Sequence, residues 1–191
     1  MGVSSMRRTC LFLALTLGLA NVAWAAKPAP SAPKTQTVKT LDGKFMFTLP
    51  AGYTVNPLPP ADPKSDAAGA KGMMYMNDSE KRVVVTTELP IPKGGHAADN
   101  DDEFLTGATA GFIEQQASAL PDFKKTAEKR ITLRKLGVEQ IDSTATMGGG
   151  ATMTTTFVAG SGQTMSVVQV ISRASDASGH AAMVKRIVAG K

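Results

Sequence analysis

Cysteine is nearly missing from this sequence. Cys10 is the only one in 191 residues, so no intramolecular disulfide and no thiolate cluster for zinc can form. Histidine is almost as scarce. His96 and His180 lie far apart in the chain, and neither has a cysteine or a second histidine at metal-ligand spacing, so no metal motif is present. Aromatic residues make up 5% of the chain, and the basic excess is mild, which together speak against nucleic-acid binding. Gly160-Ser161-Gly162 is not a glycine-x-serine-x-glycine elbow, and no phosphate-cradling glycine loop with its lysine occurs. The motifs of nucleophilic and nucleotide chemistry are therefore absent.

The one long apolar run stands at the start. Arg7 and Arg8 precede an uncharged stretch from Leu11 to Ala20, followed by Ala23-Trp24-Ala25. A basic flank, a short apolar centre and small residues at a cleavage position are the order of a secretory signal, which predicts a leader over residues 1–25. The uncharged span from Thr9 to Ala26 is also just long enough for an uncleaved anchor. Its short centre, diluted by Asn21 and alanines, favours cleavage. Cys10 lies ahead of the apolar run rather than directly after it, so it is not placed to accept lipid, and Arg7-Arg8 lacks the rest of a twin-arginine signal. The expected location is the periplasm, in a form that is not a lipoprotein.

Cleavage would leave 166 of the 191 residues and remove two of the 21 basic ones, so that 19 face 16 acidic residues and the net charge falls from +5 to +3. That length suits one domain able to bury about 70% of its unfolded surface without disulfides. Residues 26–37 are rich in proline and alanine and read as a linker. The folded domain is expected over 38–191.

Within it, Leu41-Asp42-Gly43 predicts a turn into a strand whose Phe45, Phe47 and Leu49 share a face, with Pro50 as its stop. The prolines from Asn56 onward to Gly69 predict a long loop. Gly72 to Asn77 and Arg82 to Glu88 form a predicted hairpin around Asp78-Ser79-Glu80-Lys81. After a second loop, Asp101 or Asp102 caps a helix with Phe104, Leu105, Ala108, Phe112 and Ile113 at helical spacing. Gly107 and Gly111 weaken that helix or let it pack closely on a sheet. Segments 127–135, 137–147, 151–158 and 163–172 then predict an antiparallel meander with glycine turns. The last of these carries Met165, Val167 and Ile171 on one face and Val168 and Val170 on the other, so it is expected to be central and covered on both sides. A closing helix from about Ser178 to Ala189 is expected to bury Ala181, Val184, Ile187 and Val188. The fold class that follows is α+β, a single antiparallel sheet of six to seven strands packed with two main helices.

Leu41-Asp42-Gly43-Lys44-Phe45 with Thr48-Leu49-Pro50-Ala51, Glu139-Gln140-Ile141-Asp142-Ser143 and Gln163-Thr164-Met165 resemble the DcrB-like family of bacterial envelope proteins, whose fold is similar to PsbP. The resemblance spans roughly residues 38–189. It implies a non-enzymatic periplasmic or membrane-associated protein, in a family linked to phage adsorption and envelope integrity, and brings no catalytic residues with it. The lipid-accepting cysteine of family members has no counterpart here. Relatives of the same fold in type VI secretion act as chaperones for apolar helices but lack an export signal.

Among candidate chemistry, His96 and His180 suit solvated or capping roles better than ligands or bases. Asp99, Asp101, Asp102 and Glu103 lack the glycine and distal glutamate of a calcium loop and suit a helix N-terminus. Met74 and Met76 share a strand face, and Met153 and Phe157 share another. These four are the candidates for an apolar partner surface, with core filling as the plainer account. Lys129, Arg130, Arg134 and Lys135 are candidates for a basic surface toward anionic lipid, or for protection of a strand edge. The expected function is binding of an envelope protein or a membrane surface, without turnover, cofactor, metal, nucleotide or nucleic acid. A chaperone or carrier for apolar helices or lipids is the alternative.

Overall fold

The computed structural model describes residues 34–65 and 67–190. The expected leader and most of the expected linker lie outside the described residues. The first strand, β1 (Gln36–Thr40), begins two residues ahead of the expected domain start, and a 3₁₀ turn at Leu41–Gly43 leads into β2 (Phe45–Leu49). The two strands pair antiparallel in a ribbon of their own, with Gln36 opposite Leu49 and Thr40 opposite Phe45. Strand alternation turns Phe45, Phe47 and Leu49 inward, and all three are buried.

The other strands make one antiparallel sheet. They are β3 (Thr54–Pro57), β4 (Lys71–Asn77), β5 (Arg82–Pro90), β6 (Lys124–Leu133), β7 (Leu136–Met147), β8 (Gly150–Ser161) and β9 (Thr164–Arg173), in spatial order β3-β4-β5-β9-β8-β7-β6. Two helices, α1 (Asp102–Ala119) and α2 (Ala177–Val188), complete an α+β architecture. The expected sheet of up to seven strands is present, and the predicted strand at 45–49 lies outside it, in the ribbon. The short edge strand β3 stands at the start of the proline-rich stretch that the sequence predicts as loop. Among the described residues no helix is long and apolar enough to cross a membrane.

Tight turns set the meander. Leu133 pairs with Leu136 and Met147 with Gly150, leaving the two-residue loops Arg134-Lys135 and Gly148-Gly149, all four at positive φ. That backbone matches the twist of hairpin strands. Glycine supplies it without strain at 148 and 149, whereas Arg134 and Lys135 adopt it despite their side chains.

The registers sort the sheet into two unequal faces. Val84 lies opposite Val170, Phe157 opposite Val168, and Val138 opposite Ala159. This face meets the β1–β2 ribbon and α2, and forms the core with Phe45, Phe47, Leu49, Tyr53, Met183 and Ile187. Phe45 and Phe157 meet edge to face at 6.0 Å. α2 buries His180, Met183 and Ile187. Val184 is half-buried, and Ala181 and Val188 are exposed, because the helix is rotated from the expected phase to bring its histidine inward.

On the opposite face α1 lies over β7 and β8. Met74 and Met76 of β4, Val83, Val85 and Leu89 of β5, and Met165, Val167 and Ile171 of β9 all lie on this face and are only half-buried. β9 is thus central, as expected, but fully covered on one side only.

Candidate functional site

The segment that becomes α1 is poor in residues that anchor a helix to a sheet. Asp101 caps it by accepting the Phe104 N–H at 2.9 Å, and Leu105 and Thr109 are its buried residues. Phe104, Gly107, Ala108, Gly111, Phe112 and Gln115 recur at three- and four-residue spacing and so share a face. That face lines a cleft of about 1090 Å³, whose far wall is Thr87, Leu89, Val158, Met165, Val167 and Gln169. Asp101, Glu103, His96 and Gln116 also reach it, together with Ile91 and Pro92 of the loop before α1.

Two kinds of glycine shape this cleft. Gly160 of β8 lies directly beneath Phe104, and a Cβ there would overlap the ring. Its bareness lets the N-terminal half of α1 settle on the sheet. Gly107 and Gly111 act oppositely, since a Cβ at either would meet nothing within 4 Å. Of the two roles their positions allow, they do not serve the close packing of α1 on the sheet; they leave the wall unfilled. The end of the cleft is pinned by backbone bonds from Ile91 N to Gln163 O at 2.8 Å and from Ala97 N to Gly162 O at 2.8 Å. Arg130 ties α1 to the sheet from the other side, donating Nε to Glu139 Oε2 at 2.5 Å and pairing with Asp102.

The residues singled out in the sequence are distributed by strand alternation. Met74 and Met76 lie on the same sheet face as the cleft, half-buried. Met153 and Phe157 share a face as expected, but it is the opposite one, and Phe157 is 0% exposed in the core. Phe157 is therefore not a partner surface. β6 is an exposed edge strand, yet its cations do not form one stripe. Lys129 and Arg130 are sequential and point to opposite faces, Arg130 is engaged by two carboxylates, and Arg134 and Lys135 form a turn. A register shift between Lys125 and Ala127 further interrupts the strand, in keeping with edge protection. His96 borders the cleft while His180 is buried on the other side of the sheet, so they do not converge.

Two polar clusters invite a chemical reading. Lys44 Nζ stands 2.7 and 2.9 Å from the Asp99 oxygens and 2.8 Å from Ser161 Oγ. Bonds from Lys44 and Ser161 hold the Asp99 carboxyl below the usual range. Ser161 Oγ donates to Asp99 Oδ1 at 2.7 Å, but a carboxyl held low is a weak base, so this contact does little to activate the hydroxyl. The second cluster is buried. His180 Nδ1 lies 3.0 Å from Ser172 Oγ and Nε2 lies 2.9 Å from Thr155 Oγ1, with Ser172 only 1% exposed. A serine so enclosed does not offer its oxygen to a substrate.

No family model and no curated protein matches the sequence. The solution structure of cyanobacterial PsbP from Synechocystis sp. PCC 6803 is similar at a TM-score of 0.59 and 9% identity, covering 87% of this chain and 96% of that one. The fold is PsbP-like. A Pseudomonas aeruginosa protein of unknown function is also similar, with a TM-score of 0.44, 13% identity and coverage of 79% and 91%. At such identities the likeness extends to the fold alone, so the PsbP-like frame supplies a sheet, a ribbon and two helices. The cleft between α1 and the bare half of that sheet is read from this chain's own residues.

Proposed function

We propose that this is an exported envelope protein of the DcrB-like kind that binds a partner protein without transforming it, and that the partner's docking segment is an apolar helix seated in the α1 cleft. The observation that carries the reading is the open apolar wall. Gly107, Ala108 and Gly111 leave room for a second helix to approach α1 closely, as small residues at four-residue spacing do in other helix pairs. Leu89, Phe104, Phe112, Met165 and Val167 supply the apolar surface such a helix would cover. Asp101 and Glu103 at one end complement a basic flank on the incoming segment. The thioethers of Met74 and Met76 continue the same face with side chains that adapt to varied partners. Docking to anionic lipid through the four basic candidates draws less support, since they are divided between two faces and a turn.

The test uses a purified apolar peptide of about 20 residues with lysines at one end, long enough to span a bilayer as a helix. It is titrated against the native protein and against a Gly107→Leu/Gly111→Leu variant. A Cβ at either position meets nothing within 4 Å, so the leucines extend into the cleft from an uncrowded start. Binding to the native protein and at least about a tenfold loss in the variant, equivalent to 1.4 kcal/mol, are expected. Equal binding by both, or none by either, refutes the reading.

A further inference from the structure

The buried chain around His180 has a direction. Asp142 accepts the Thr155 hydroxyl at 2.6 Å, and a hydroxyl has one hydrogen, so Thr155 must receive the bond it shares with His180. That places the imidazole proton on Nε2 and leaves Nδ1 bare, to accept from Ser172. Ser172 Oγ in turn accepts from Arg82 Nε at 3.3 Å. Donation thus runs one way from β5 through β9, α2 and β8 to β7. Arg82, Ser172, Thr155 and His180 are all buried.

We propose that His180 is the bolt of a pH-sensitive latch that fastens α2 over the sheet, and that acidification releases α2 from its seat on β8, β9 and β2. A proton on Nδ1 turns that nitrogen from acceptor to donor, and the Ser172 hydrogen then loses its partner in a place closed to water. The new charge is enclosed as well. Arg82 of β5 opposes it, while Asp142 of β7 and Asp176 at the start of α2 favour it. Glu80 in the β4–β5 turn is already paired with Arg82. Burial outweighs these and holds the imidazole below its ordinary value, with Arg82 adding to the effect against Asp142 and Asp176. Because the attached helix binds the proton less well than the released one, attachment is complete above about pH 6.5, the ordinary histidine value, and weakens as the pH falls below it. The latch lies across the sheet from the α1 cleft and stands or falls independently of what occupies that cleft.

Amide hydrogen exchange across pH 7.5 to 5, corrected for intrinsic rates, tests this. Protection of the α2 amides is expected to fall by up to about tenfold per pH unit below 6.5, while the β5 and β9 amides keep theirs. In His180→Gln, whose amide can donate and accept but does not titrate, this selective fall is expected to vanish. A parallel decline of α2 and β9, or an unchanged pH dependence in His180→Gln, overturns the proposal. Should His180→Gln fail to fold, the imidazole resonances of the native protein decide. Titration of His180 below 6.5 in step with α2 release is expected, and titration at or above that value overturns the latch.

Discussion

Single residues already separate the roles within the fold. Gly160 is required by a close approach, so Gly160→Ala should push the Phe104 ring off the sheet and cost about 1–3 kcal/mol, the usual penalty of overpacking. Gly111 has no such neighbour. Gly111→Ala should instead raise stability by up to about 1 kcal/mol through helix propensity alone. Urea unfolding of the two variants checks both signs. Phe157→Ala should cost about 3–5 kcal/mol as a core truncation. The periodicity of β8 placed Met153 and Phe157 together, but a single strand cannot say which of its faces is inside. Only pairing with β7 and β9, residues distant in sequence, decides it.

Elements were legible where their signals are local. The hairpin β4–β5, the capped start of α1, the meander and the inward face of β2 all follow from alternation, turn residues and caps, and they stand within a few residues of where the sequence puts them. What was not legible is long-range. That the β1–β2 hairpin, itself closed locally across Leu41–Gly43, stands apart from the main sheet depends on contacts no local pattern encodes. The phase of α2 departs from its apolar periodicity because a histidine counts as polar there, yet His180 is bonded on both nitrogens and goes inside. The same network gives Asp176 two duties: it caps α2 by accepting the Gly179 N–H at 3.1 Å, and it pairs with Arg82, which is 6% exposed. Removing a cap costs about 0.5–2 kcal/mol. Asp176→Ala should exceed that range, because it also strips a buried guanidinium of a partner. Arg130→Ala frees the exposed Asp102 at little cost, but it also strips Glu139, itself buried, of its cation, so it too should exceed the roughly 1 kcal/mol of a surface pair. Thermal denaturation of both variants makes the comparison.

At the scale of the whole molecule, one sheet separates two surfaces of different character. One is closed by a ribbon and a helix over an aromatic core and contains the polar chain of His180. The other carries a helix over only part of its width and leaves an apolar cleft beside methionine-bearing strands. The stripe that opens this cleft was visible in the sequence as two glycines in a helix. Its meaning was not, because a glycine that admits a sheet and one that leaves a void look alike until the neighbour is known. The central claim, that an exported protein holds an apolar helical segment of an envelope partner in this cleft, is tested most directly by photo-crosslinking in intact cells. A crosslinking side chain at Phe112 should capture a membrane-spanning envelope protein through its apolar segment, and filling the cleft at Gly107 and Gly111 should abolish the adduct. Capture that persists in the filled variant, or that arises equally from Lys129 on the far edge, would contradict the account.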